Sequence, residues 1–372
     1  MKKTLFKWHS YLALFALLPI CLISITGSIL VFKVEIDRLL MPEVVTVTTE
    51  KQQRQSMDEL QAYLESSLKD FHLGTWEIFD DKHEADRVYV IKRGTNDWYK
   101  VHLDPYAGKL LDEPHIHDDF YLTDWILKLH YTLLLNHRSF LNEHFGVMLG
   151  FIYALILLFL GISGLILQWR FIKKLFSVRW KAHLRVMLSD IHKFNGVVIS
   201  PLLLIVAFTG AYFNFVEIYH EEIEHAHEEP TPVPMDTNFY STGVSIDQQL
   251  NVIKQKMDRF EPTYLTFPFE PDGAFVWYGD VPDTSILTSQ YATYMVFDRE
   301  TGNYASHFDA RQADLGYLTL DSFRRLHFGN FAGLTSKILW CITGLIPLIL
   351  SITGIYMWLI RTRKIQVKRE CR

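Results

Sequence analysis

The chain has 372 residues, a formal charge of −5, 49% hydrophobic and 14% aromatic residues, and three Cys. Cys21 and Cys341 lie in long apolar runs and Cys371 beside the end, which excludes a disulfide framework, a c-type haem attachment motif and a thiolate cluster. The stretches 8–32, 144–169, 194–216 and 338–360 contain no Asp, Glu, Lys or Arg, and each is long enough to cross a bilayer as a helix, which excludes a simple soluble enzyme.

In chain order, residues 1–32 form a short basic head and a first span. That span ends Ile29-Leu30-Val31-Phe32 with no small-x-small cleavage site, so it reads as a retained anchor and not a removed signal. The loop 33–143 has helical apolar spacing over 57–70, strand-like alternation in Arg87-Val88-Tyr89-Val90-Ile91, and a turn from Asp104 to Gly108. A second span, 144–169, leads to the basic connection 170–193 and a third span, 194–216. The loop 217–337 repeats the first one: Pro230, Pro232 and Pro234 mark a linker, helical spacing covers 245–258, Ala274-Phe275-Val276-Trp277-Tyr278 alternates, and a turn runs from Asp298 to Gly302. Each loop reads as a small domain of one helix and an antiparallel sheet. The fourth span, 338–360, is followed by the basic tail 361–372.

Sixteen of the 37 Lys and Arg fall in segments 1–7, 170–193 and 361–372, which places these three on the cytoplasmic side. The two long loops then lie outside with 40 acids against 21 cations, a balance that argues against nucleic acid as a partner.

The halves of the chain match. Trp8-His9 opens span one and Ile191-His192 opens span three, and seventeen residues after each His come Thr26-Gly27 and Thr209-Gly210. Tyr121-Leu122-Thr123 leads to Leu129-His130-Tyr131, and Tyr317-Leu318-Thr319 leads to Leu326-His327-Phe328. Spans two and four close with Ser163-Gly164 and Thr353-Gly354. The chain is thus expected to be an internal two-fold repeat.

Four of the sixteen His, namely His9, His192, His130 and His327, sit at matching positions near span ends. A lone His there is ordinarily an interfacial anchor, but the matching of all four points to axial ligation of haem iron by imidazoles from facing helices. The expected pairs are His9 with His192 and His130 with His327, each gripping one haem iron. Counting back from Gly164 favours His137 over His130, whereas the Leu-His-aromatic context favours His130, and both, with His144, stay open as the third ligand. The run His220–Glu229 and the cluster His115-x-His117-Asp118-Asp119 read as solvated charged segments and not as metal sites.

This order of His motifs, with four spans and two outer domains, resembles the PepSY-associated transmembrane helix family of bacterial inner-membrane proteins. The resemblance covers nearly the whole chain. It implies PepSY-like periplasmic domains at 33–143 and 217–337, cytoplasmic termini, and b-type haem in the membrane. It further implies an activity like that of the FoxB-type siderophore-iron reductases, in which a ferric siderophore is reduced to release Fe(II), with electrons from a quinol or a cytoplasmic reductase. No Gly-x-Gly-x-x-Gly is present, so a nicotinamide or flavin domain would be a separate partner. The competing expectation is a non-redox, membrane-anchored PepSY module that binds peptide or inhibits a peptidase. A metal permease is disfavoured by spans without Asp or Glu.

Overall fold

A computed structural model describes residues 2–47, 53–79, 81–116, 120–136, 144–169, 178–220, 233–235 and 238–370, with 364–370 described by backbone alone. In chain order it runs α1 (Lys2–Phe15), α2 (Leu17–Leu30), α3 (Lys33–Leu40), α4 (Pro42–Val45), α5 (Met57–Ser67), β1 (Phe71–Glu77), β2 (Asp86–Lys92), β3 (Trp98–Asp104), β4 (Lys109–Leu110) and β5 (His115–Ile116). Then follow α6 (Leu122–Thr132), α7 (Phe145–Gln168), α8 (Leu184–Val198), α9 (Ser200–Tyr219) and α10 (Ile246–Lys256). The chain ends with β6 (Glu261–Thr266), β7 (Phe275–Asp280), β8 (Thr293–Phe297), β9 (Tyr304–Phe308), α11 (Leu315–Phe328) and α12 (Gly333–Glu370). Two units result: a helical unit of Met1–Phe32, Trp125–Ala226 and Leu326–Arg372, and a sheet unit of Lys33–Asp124 and His227–Arg325.

In the helical unit, α7, α9 and the Gly333–Arg363 part of α12 are long and apolar enough to cross a membrane. The expected first span is not one straight helix. α1 and α2 are bent by 66° about Ala16 and make a fourth crossing only if the bent pair counts as one. Pro19 supplies the reason: it has no N–H for the Phe15 carbonyl, so the helical ladder fails just before it. The run 194–216 is likewise divided at Ile199, between α8 and α9, with Pro201 in the first turn of α9 where a missing N–H costs nothing. Small residues let the helices approach closely. A Cβ on Gly344 of α12 would stand 2.3 Å from Ser28 Oγ of α2, and one on Gly161 of α7 would stand 2.9 Å from the Leu204 side chain of α9.

The sheet unit corrects the expectation of two separate small domains. Its strands form one sheet in the order β4-β3-β2-β1-β6-β7-β8-β9, with β5 also pairing β3. The halves join where Thr75, Trp76 and Glu77 of β1 lie opposite Thr266, Leu265 and Tyr264 of β6. Each half alone would expose that strand edge and would have only a thin core to bury. Joined, they share one core in which Trp76, Leu265, Trp277 and Met295 are fully buried beneath α5 and α10. Both indoles keep a partner there: Trp76 Nε1 donates to Asp86 at 2.8 Å and Trp277 Nε1 to Gln249 at 2.8 Å.

α5 and α10 cap each other. Asp247 accepts from the Ser56 hydroxyl and from the Met57 and Asp58 N–H groups at the start of α5. Asp58 in turn accepts from the Ser245 hydroxyl and from the Ile246 and Asp247 N–H groups at the start of α10. The two turns read from the sequence form as matching structures. Gly108 (φ 68°) and Gly302 (φ 69°) donate to the Asp104 and Asp298 carbonyls, both at 2.9 Å, in a conformation that only Gly adopts without strain.

Candidate functional site

Each of the four matched His is held by a hydroxyl on another helix. His9 Nδ1 of α1 lies 2.7 Å from Ser163 Oγ of α7, and His192 Nδ1 of α8 lies 2.9 Å from Thr353 Oγ1 of α12. His130 Nδ1 of α6 lies 3.2 Å from Thr26 Oγ1 of α2, and His327 Nδ1 of α11 lies 3.0 Å from Thr209 Oγ1 of α9. The bonds form two matching sets, one in each half of the chain.

The direction of these bonds fixes the tautomer. Each hydroxyl donates its proton back along its own helix: Thr26 to the Leu22 carbonyl at 2.7 Å, Thr209 to Ile205 at 2.9 Å, Thr353 to Ile349 at 2.7 Å and Ser163 to Leu160 at 3.2 Å. The hydroxyl oxygen is then left to accept, so Nδ1 carries the imidazole proton. His130 Nδ1 also lies 2.9 Å from the Ile23 carbonyl, which can only accept. Nε2 is therefore the nitrogen with the available lone pair on all four rings, the state a metal-binding neutral imidazole needs.

The glycine after each hydroxyl makes room for a ring. A Cβ on Gly27 would stand 2.7 Å from His130 Cε1 and one on Gly210 would stand 3.0 Å from His327 Cε1, whereas at Gly164 and Gly354 the His9 and His192 rings are 3.7 and 3.6 Å away. Gly27 leaves no room for a Cβ unless the His130 ring shifts, Gly210 would make a tight contact to which the His327 ring must yield, and the other two have ordinary contact distance.

The rings pair across the halves. His130 and His327 have ring centres 6.4 Å apart with planes at 48°, and Phe213 stands edge-on to His327 at 5.6 Å. These two rings, one from each half, would hold one metal through their Nε2 atoms. His9 and His192 line one cavity of about 390 Å³, walled by Ala13, Ala16, Leu160, Gly196 and Pro347 among others. The bend at Ala16 puts residues of both α1 and α2 into that wall. Two imidazoles and an apolar slot suit a group that brings its own equatorial ligands, as a porphyrin does. Among the described residues no group of three or more His, Cys, Asp or Glu could hold a bare metal ion.

The first turn of α6 and the middle of α11 belong to the sheet unit and are bonded within it. Asp124, in the first turn of α6, is buried and takes bonds from Lys33 at 3.0 Å and Lys100 at 2.9 Å. Burial alone would raise its carboxyl, but Lys100 and Lys33 outweigh it and hold Asp124 below the usual carboxylate range. Asp321 of α11 accepts from the Ser289 N–H at 2.7 Å and the Ser289 hydroxyl at 2.5 Å. Asp124 and Asp321 each precede the His of their helix by six residues.

The structure thus brings the four predicted His into two pairs. Of the alternatives for the third position, His130 is the one beside His327; His144 stands just before α7, and His137 lies outside the described residues. His115 stacks on Phe120 at 3.7 Å, while 117–119 and 221–232 lie outside the described residues. Sequence reasoning noted Thr26, Ser163, Thr209 and Thr353 only as marks of the repeat. That each sits before a glycine in a span was the available sign that they seat a ring.

A helical unit of apolar helices carrying paired, half-buried imidazoles, with an antiparallel sheet unit beside them in sequence, defines a membrane protein. The profile of the PepSY-associated TM region matches residues 6–361, and the chain belongs to that family. No curated protein matches the chain.

Proposed function

We propose that the chain is an inner-membrane electron-transfer protein with two b-type haems that reduces ferric siderophores on the periplasmic side. In this reading both termini are cytoplasmic, the bent α1–α2 pair is a fourth crossing, and the two halves are copies of one unit. The observation that carries it is the fourfold repetition of one arrangement: an imidazole whose Nδ1 is held by a buried Ser or Thr hydroxyl, leaving Nε2 to a metal, with one ring from each half in each pair. Bound haem supplies a one-electron Fe(III)/Fe(II) couple.

The chain's own residues bind and orient. The hydroxyls fix the ring planes and tautomers, and Gly27 and Gly210 admit the His130 and His327 rings against the helices. The mostly apolar wall around His9 and His192 gives a flat apolar group a surface to pack on. The substrate is a ferric chelate with hard oxygen ligands, which gains one electron and then holds Fe(II) less tightly than it held Fe(III). The electron comes from a quinol or a cytoplasmic reductase.

The test is haem content and absorption of the detergent-purified chain, oxidised and dithionite-reduced. Wild type is expected to hold two haems with sharp low-spin bands. His192→Ala and His327→Ala should each lose one, and ferric siderophore should reoxidise the reduced protein. Colourless wild type under iron-replete and iron-poor growth alike would overturn the proposal.

A further inference from the structure

The cavity between His9 and His192 has a chemistry that ring ligation does not require. Among the described residues its lining contains three cations, Arg185, Lys193 and Arg361, and no Asp or Glu. The imbalance is not simply that of a basic membrane boundary. Arg179, from the same basic connection, is tied to Asp190 at 2.8 Å and takes no part in the wall, while these three line the same space as the imidazoles.

Their placement is consistent along the helices. Arg185 precedes His192 on α8 by seven residues, two helical turns or about 10 Å of axis. Arg361 follows Gly354, the glycine against the His192 ring, by seven residues on α12. Lys193 is next to His192 itself. The Arg361 guanidinium stands 5.0 Å from the centre of the Phe6 ring, another residue of the wall. The cavity is therefore apolar with two metal-ligating nitrogens, and it carries excess positive charge. It matches a flat apolar molecule that bears two negative charges.

We infer that Arg185, Lys193 and Arg361 clamp the two propionate carboxylates of the haem held by His9 and His192. The inference rests on the haem reading above and adds to it what binds the charged edge of that group. Guanidinium–carboxylate pairs of this kind are charge-assisted and directional, and they fix the rotation of the group about the axis through the two imidazoles.

The test compares haem b with its dimethyl ester, which keeps the iron and the ring but has no carboxylates. Full-length protein is depleted of haem in detergent and titrated with each, with occupancy read at the low-spin absorption bands. Wild type should prefer haem over the ester at least tenfold at the His9/His192 site. Arg185→Gln, Lys193→Gln and Arg361→Gln should each lower that preference several-fold, and the triple variant should bind the two equally. Arg361→Lys should restore part of the preference. The His130/His327 site serves as an internal control for folding. As a second readout, the midpoint potential of this haem should move negative in Arg361→Gln, because the compensating cation near the carboxylate is gone. A triple variant that still prefers haem as strongly as wild type overturns the clamp and leaves the haem reading intact. Wild type that binds neither compound overturns both.

Discussion

A hydroxyl whose proton is committed to its own helix can only accept, and that one fact assigns the tautomer of every ring in the site. Thr353 shows the consequence. Replacing it with Val keeps its shape but removes the acceptor for His192 Nδ1, so the ring loses its orientation and its basicity at once. Thr353→Val is expected to weaken haem retention at the His9/His192 site about 10- to 100-fold, and Thr353→Ser to restore most of it, measured by haem titration of depleted protein. The glycines make a sharper prediction because the two pairs differ. Gly27→Ala would press a methyl to 2.7 Å from His130 and should abolish low-spin ligation at the His130/His327 pair, whereas Gly354→Ala, with 3.6 Å of clearance to His192, should leave the absorption bands in place. The four His were legible in the sequence because they recur at matching positions. Their hydroxyl partners were not, because the pairing of His9 with Ser163, 154 residues away, depends on which helices become neighbours.

At the scale of elements, local pattern gave the helices and turns and missed what happens between them. The helical spacing over 57–70 and 245–258 became α5 and α10, yet nothing local reveals that Asp58 and Asp247 exchange their capping roles. Each carboxylate sits at the positive end of the other helix and satisfies backbone N–H groups that would otherwise be unpaired. Asp58→Ala should therefore destabilise the start of α10, and Asp247→Ala the start of α5, by about 1–2 kcal/mol each. Because each substitution also removes a partner of a Ser hydroxyl on the opposite helix, the double variant should deviate from additivity. Denaturant unfolding of full-length protein followed by tryptophan fluorescence measures this, since Trp76 and Trp277 lie in the core beneath these helices. The bend between α1 and α2 was hidden for a different reason. Hydropathy registers the apolar run but not its direction, and Pro19 breaks the helical ladder without adding a charge to the run.

For the whole molecule, the recurring theme is that nothing essential belongs to one half. The repeat in the sequence suggested two self-sufficient copies, each with its own small domain. Strand pairing between β1 and β6 overrides that, because an exposed edge and a thin core are both relieved by one junction, Thr75–Glu77 against Tyr264–Thr266. The imidazole pairs follow the same rule: His130 meets His327, and His9 shares its cavity with His192, so each pair takes one ring from each half. A single chain of 1–183 holds His9 and His130 with their hydroxyls Ser163 and Thr26, but has no second ring for either site and leaves β1 without its neighbour β6. Expressed alone, it should give no low-spin haem and should be cut by protease in its sheet residues. The same holds for 184–372, which begins at α8 and holds only His192 and His327. Co-expression of a first half ending before α8 with a second half beginning at α8 should restore both, since the two halves then supply the β1–β6 junction and both ring pairs. Low-spin haem bound to either half alone would show that the sites do not need the partner ring, and would refute this account of how the halves combine.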